Sequence, residues 1–173
     1  MENNTLTATA PVTDVIINRE QLLEHWQGHR RITRRAIEKF PADQLFSYSV
    51  GGMRPFSELI MEMLRIASSG VHGFSTGEWL QMTDLLKYTG VTEPANKEEL
   101  LQLWDVVTTQ IDDYWPRIAP DGFHTTMKAF GQYEGTITSL LFYFIDNEIH
   151  HRGQGFVYLR ALGIEPPFFW DRN

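Results

Sequence analysis

The apolar positions fall into four long stretches with helical spacing, separated by segments rich in glycine, proline, serine and threonine. The first begins at Asn18, whose side chain suits it to cap free backbone amides, and Gln21 completes a capping-box pattern. Its stripe of Leu22, Trp26, Ala36, Ile37 and Phe40 predicts a helix to about Phe40, before Pro41. Arg30, Arg31, Arg34, Arg35 and Lys39 are expected largely outside that stripe, and His29 and Thr33 within it. The segment from Pro41 to Arg54, with Gly51-Gly52, reads as a connection holding one short turn at 42–45.

A second helix starts near Pro55, carries Phe56, Leu59, Ile60, Met63, Leu64 and Ile66, and is expected to weaken at Ser68-Ser69-Gly70. From Gly70 to Asn96 the pattern is weak, with room for one or two short helices between Thr76 and Leu86. Asn96 caps a third helix with Glu99 behind it, and Pro116 and Pro120 close it; Trp104 and Trp115 lie on its apolar side. The stretch from Asp121 to Glu134 is expected to be an irregular return, with His124 in a loop. The fourth helix begins around Thr136 to Ser139 and ends at Gly163, a suitable left-handed cap before Pro166-Pro167. The expectation is an all-α four-helix bundle, with residues 1–12 a flexible tail and 13–173 one domain.

Composition narrows the classes of function. A net charge of -7 without a basic block argues against a nucleic-acid partner, since phosphate-backbone affinity comes from basic residues. With no cysteine, any metal must be held by nitrogen and oxygen, and the chain suits a reducing cytoplasm. The densest apolar run, Leu140 to Ile145, is far below the ~20 residues that span a bilayer, so no membrane association is expected.

The fourth helix holds the strongest chemical signal. Leu140, Phe144, Asn147, His151 and Tyr158 share one stripe, so an amide and an imidazole interrupt a face that should be buried. Unpartnered, such groups destabilise the fold, so side chains, water, a metal or a ligand must satisfy them. Glu62 lies on or beside the buried stripe of the second helix, to be satisfied by solvent, by an arginine such as Arg65, or by a site. His25 and His29 are four apart, a spacing at which two imidazoles can share a metal. Asp146 and His150 are expected to pair along the helix, and Arg152 and Gln154 to bond loops or a second subunit. Gly153 and Gly155 point to a close approach by a neighbouring element. Glu148-x-x-His151 matches di-iron bundle spacing, but no second such motif occurs.

The run Glu148-Ile149-His150-His151-Arg152-Gly153-Gln154, followed by Tyr158-Leu159-Arg160-Ala161-Leu162-Gly163-Ile164-Glu165-Pro166-Pro167, resembles the C-terminal signature of the DinB-like (YfiT-like) superfamily. Arg54 to Met61 is similar to the start of that family's second bundle helix. The resemblance implies an up-down-down-up bundle, often a homodimer, with a divalent metal such as nickel or zinc held by three histidines. It also implies a small-molecule substrate, with a low-molecular-weight thiol used by some relatives. The three ligand positions fall on Glu62, Asn147 and His151, so only one imidazole is kept; His29 is the candidate fourth ligand. Two readings follow. In one, the chain is a metal-dependent transferase or hydrolase with Glu62 and His151 catalytic. In the other, it is a metal-free small-molecule-binding or structural dimer with a degenerate metal site.

Overall fold

The computed structural model describes residues 16–81, 84–86, 90 and 93–173. The expected tail at 1–12 and part of the 76–86 connection lie outside the described residues. Four long helices form: α1 (Arg19–Lys39), α2 (Phe56–Thr76), α3 (Lys97–Tyr114) and α4 (Ile137–Ala161). α1 and α2 each pack between α3 and α4, so α4 touches both and presents a separate stripe to each.

The helix ends follow local chemistry. Asn18 accepts from the Gln21 amide at 2.8 Å while the Gln21 side chain accepts from the Asn18 amide at 3.0 Å, closing a reciprocal capping box. Asn96 accepts from the Glu99 amide at 2.9 Å, and Thr136 from the Ser139 amide at 3.2 Å. At the far end of α4, Gly163 takes φ 74°, and the Ile164 amide donates to the Leu159 carbonyl at 2.8 Å, a Schellman closure.

α2 does not weaken at Ser68-Ser69-Gly70 but continues to Thr76. Tertiary packing overrides the local propensity here: a Cβ at Gly70 would meet the Phe144 ring at 2.2 Å, and one at Gly73 would meet Trp79 at 2.7 Å. The glycines let a helix and an indole lie against α2. The expected irregular return also holds an antiparallel hairpin, β1 (Thr126–Ala129) with β2 (Tyr133–Thr136), in which Ala129 pairs with Tyr133. At its tip Phe130 has φ 54°, a strained conformation for a bulky residue, and its ring packs against Trp79 and Phe144.

Arg30, expected outside the apolar stripe, is fully buried. Its guanidinium lies 3.4 Å from the Trp104 ring centroid, donates to the Thr108 hydroxyl and the Trp104 carbonyl, and stands 3.6 Å from the Glu148 carboxylate. Glu148 accepts from Thr33 at 2.7 Å, and Arg152 donates to the His29 carbonyl and the Thr33 hydroxyl, both at 3.2 Å. α1, α3 and α4 are thereby joined by one buried charged network. Three further cations of α1 meet a C-terminal strap: Lys39 donates to the Glu165 carbonyl at 3.0 Å, Arg31 to that of Arg172 and Arg35 to that of Asn173, both at 2.6 Å, whereas Arg34 pairs with Asp105 on α3.

The two glycines of the α4 signature differ. A Cβ at Gly155 would meet the Phe56 ring at 2.3 Å, whereas nothing among the described residues lies within 4 Å of one at Gly153, so close approach accounts for Gly155 alone. Gly155→Ala is therefore expected to destabilise by about 1–3 kcal/mol through overpacking. Gly153→Ala is expected to stabilise by about 0.5–1 kcal/mol through helix propensity. Urea denaturation of the two variants checks the contrast in sign.

Candidate functional site

Glu62 on α2 and Asn147 and His151 on α4, the three positions that the resemblance groups together, are in contact. Glu62 Oε1 lies 2.9 Å from His151 Nε2 and accepts from Asn147 Nδ2 at 3.2 Å. Its second oxygen accepts from Arg54 at 2.6 Å, so the arginine that satisfies Glu62 is Arg54 and not Arg65. His151 Nδ1 faces Gln154 Oε1 at 2.9 Å. Gln154 thus completes the cluster instead of bonding a loop, and its amide nitrogen faces His150 at 3.4 Å, in place of the expected Asp146 to His150 pair. Arg152 likewise serves the α1 network.

The electrostatics of Glu62 set two opposing effects against each other. Burial pushes its pKa up, but hydrogen bonds from Arg54, His151 and Asn147, with the charge of His151, outweigh burial and hold it at about 2 instead of 4.5. A carboxylate that acidic is a weak base. Its capacity is to present fixed negative charge, and the hydrogen it shares with His151 resides on Nε2. Asn147 Oδ1 is buried and receives no hydrogen bond among the described residues.

His29 does not join this cluster. Its Nδ1 faces the Arg152 guanidinium at 3.1 Å, and its ring meets that of His25 edge-on at a centroid distance of 4.8 Å. His25 Nδ1 in turn faces Arg172 of the strap at 3.0 Å, so both Nδ1 atoms accept from arginines. Burial, with Arg152, Arg172 and His25 adding to it, lowers the His29 pKa from 6.5 to about 3.

The Glu62 carboxylate opens onto a cavity of about 660 Å³. Its apolar wall is built from Ile66, Leu140 and Phe144 and from Ala129 and Phe130 at the hairpin tip, and its polar groups include Arg54, Arg65, Tyr133 and Tyr143. Neither His151 nor Asn147 lines the cavity; both stand behind Glu62, and the His151 side chain is only 8% exposed against 28% for Glu62. Arg54 and the hairpin were missed in the sequence because both sit outside the periodic helices. The one available signal was that a buried carboxylate requires cationic partners.

The donor types fit the divalent ion implied by the resemblance only in part. A carboxylate, an imidazole nitrogen and the unpartnered Asn147 oxygen are sound ligands. Yet Glu62 Oε1 is engaged by His151 and Asn147, and Oε2 by the Arg54 cation. Glu62, Asn147 and His151 would hold an ion only after exchanging these contacts, and His29 stands with Arg152 instead.

A family model described as the DinB family matches residues 1–171. The uncharacterised protein YjoA of Bacillus subtilis strain 168 is 26% identical over 161 residues, spanning 88% of this chain and 96% of that protein. The crystal structure of that DinB-like protein superposes with a TM-score of 0.69 at 24% identity, covering 88% of this chain and 99% of the other. A DinB-like protein from Bacillus cereus ATCC 10987 gives a TM-score of 0.63 at 16% identity, covering 86% and 95%. No described helix is long and apolar enough to cross a membrane.

Two depressed pKa values have the same consequence for acid stability. A group whose pKa is lower folded than unfolded contributes stability above its unfolded value and loses it as pH falls through the folded one. For His29 the loss runs from 6.5 to about 3, and for Glu62 from 4.5 to about 2. His29→Asn, whose amide oxygen can still accept from Arg152, is expected to lose less stability than the parent chain as pH falls from 6.5. Urea denaturation at a series of pH values measures this, and parallel curves for the two proteins would contradict it.

Proposed function

We propose, for a chain that belongs to the DinB family, that its function is to bind a small molecule in the cavity above Glu62 without needing a metal. The observation that carries this reading is the Arg54 guanidinium, 2.6 Å from the Glu62 carboxylate in the cavity lining. It supplies on this carboxylate the positive charge that an ion would bring. With Arg54, Asn147 and His151 all directed at it, Glu62 is a fixed anion that orients and polarises what binds, and its low basicity argues against proton abstraction. A mixed lining, with apolar groups from Ile66, Leu140, Phe144 and Phe130 and a few charged ones from Arg54, Glu62, Arg65 and Glu134, is the usual make-up of a small-molecule site.

A second reading, a metal-dependent transferase or hydrolase, is favoured by one observation: the buried, unpartnered Asn147 oxygen beside Glu62 and His151. Glu62, Asn147 and His151 would hold the ion. Such an ion supplies Lewis acidity that activates a water or a thiol.

Elemental mass spectrometry on untagged protein, after supplementation with nickel, zinc, manganese or iron, separates the two. It is paired with ligand-detected NMR screening of a small-molecule library against the parent chain and Glu62→Ala. The first reading expects far less than stoichiometric metal, together with ligands whose binding is lost in Glu62→Ala. Near-stoichiometric metal that falls in Glu62→Ala and His151→Ala would replace it with the second. Neither metal nor ligand would overturn both.

A further inference from the structure

The cavity holds one cation that the cluster does not use. Arg54 is committed to Glu62, but Arg65, three residues beyond Glu62 on α2, is half-buried on the same wall and has no hydrogen bond or ion pair among the described residues. A guanidinium presents its donors in a planar fork, which pairs most fully with a planar two-oxygen anion. Here it faces space lined by Leu140, Phe144 and Phe130.

From this juxtaposition of an unpaired arginine with an apolar wall, and resting on the small-molecule reading above, we infer that the ligand is a monocarboxylate with an aliphatic or aromatic body, its carboxylate held by Arg65. The charges of the lining disfavour a dianion. The lining carries Arg54 and Arg65 against Glu62 and Glu134, and Arg54 with Glu62 is already a matched pair. What remains is one cation on the α2 wall, with Glu134 on the hairpin side disfavouring a dianion such as a phosphate ester. Volume is compatible: about 660 Å³ lies within the range of sites for small organic ligands. Tyr133 and Tyr143, exposed at the rim, add phenolic donors for a ligand oxygen.

The Arg65 side chain also borders a neighbouring cleft of about 400 Å³ that includes Glu58 and Glu93, yet no carboxylate among the described residues stands within ion-pair distance of it. The side chain is therefore free to serve the larger cavity.

The test is isothermal titration calorimetry on the untagged full chain with a panel of phenylalkanoates of increasing chain length, their neutral primary amides, and phenyl phosphate. Binding is located by NMR shifts of Tyr143 and Phe144. Parent chain, Arg65→Met and Arg65→Lys are compared, with thermal melts to verify that each variant folds. The expected result is that at least one carboxylate binds about ten- to a hundredfold tighter than its amide, the effect of a charge-assisted hydrogen bond pair. That preference is expected to vanish in Arg65→Met and to return in part in Arg65→Lys. Equal binding of acid and amide at the cavity, or a preference that survives Arg65→Met, overturns the carboxylate assignment while leaving the small-molecule reading intact. Tighter binding of phenyl phosphate than of every carboxylate overturns the monoanion assignment in the same way. If no acid, amide or phosphate shifts Tyr143 or Phe144, the carboxylate inference is overturned. Library hits lost in Glu62→Ala would then keep the cavity reading, and their absence would remove it as well.

Discussion

The constraint on which the rest of this structure depends is the rotation of α4 about its own axis, fixed by the buried meeting of Arg30 with Glu148. Breaking a buried ion pair by removing one partner leaves the other charge uncompensated, a penalty of about 3–5 kcal/mol. Here Thr33, Thr108, the Trp104 carbonyl and Arg152 supply the surrounding hydrogen bonds, so α4 is held against α1 at one angle. Successive residues on a helix point about 100° apart. With Glu148 and Arg152 turned to α1, Asn147 and His151 must turn to α2, where Glu62 receives them. One helix therefore carries two polar stripes side by side, one structural and one at the cavity.

That arrangement separates histidines that look alike in sequence. His29 and His151 both interrupt apolar stripes, but burial beside Arg152 holds His29 neutral, with its Nδ1 as acceptor. His151 instead turns Nε2 to a carboxylate and Nδ1 to an amide oxygen. The cavity in front of Glu62 depends on long-range packing as well. Gly70 admits the Phe144 ring against α2, and the strained Phe130 closes the hairpin over the same ring, so the cavity wall and the bundle core are one surface.

Features set by a few neighbouring residues were legible in the sequence. Asn18 with Gln21, Asn96 with Glu99, and Gly163 specify their helix ends through bonds that span one turn. The α4 stripe correctly placed Asn147 and His151 on one face, and the need of Glu62 for partners was visible from its position. What the pattern misjudged was decided by distant contacts. Arg30 is inside because Trp104, Thr108 and Glu148 receive it; α2 runs past Gly70 because an aromatic ring from α4 needs the space; Gln154 turns inward because His151 offers it a ring nitrogen. Arg54 was invisible as a site residue since it precedes α2 in a segment without periodicity. The short β1 and β2 strands, four residues each, carried too little alternation to be distinguished from a loop.

The claim that Glu62 and His151 act as one unit is tested most directly by a double-mutant cycle. Stability is measured by urea denaturation for the parent chain, Glu62→Ala, His151→Ala and the double variant at neutral pH. A coupling energy of about 0.5–3 kcal/mol is the expected range for residues in one hydrogen-bonded network. Effects that simply add would mean that the two side chains do not support each other, and the cluster of Glu62, Asn147 and His151 would not exist as a functional unit.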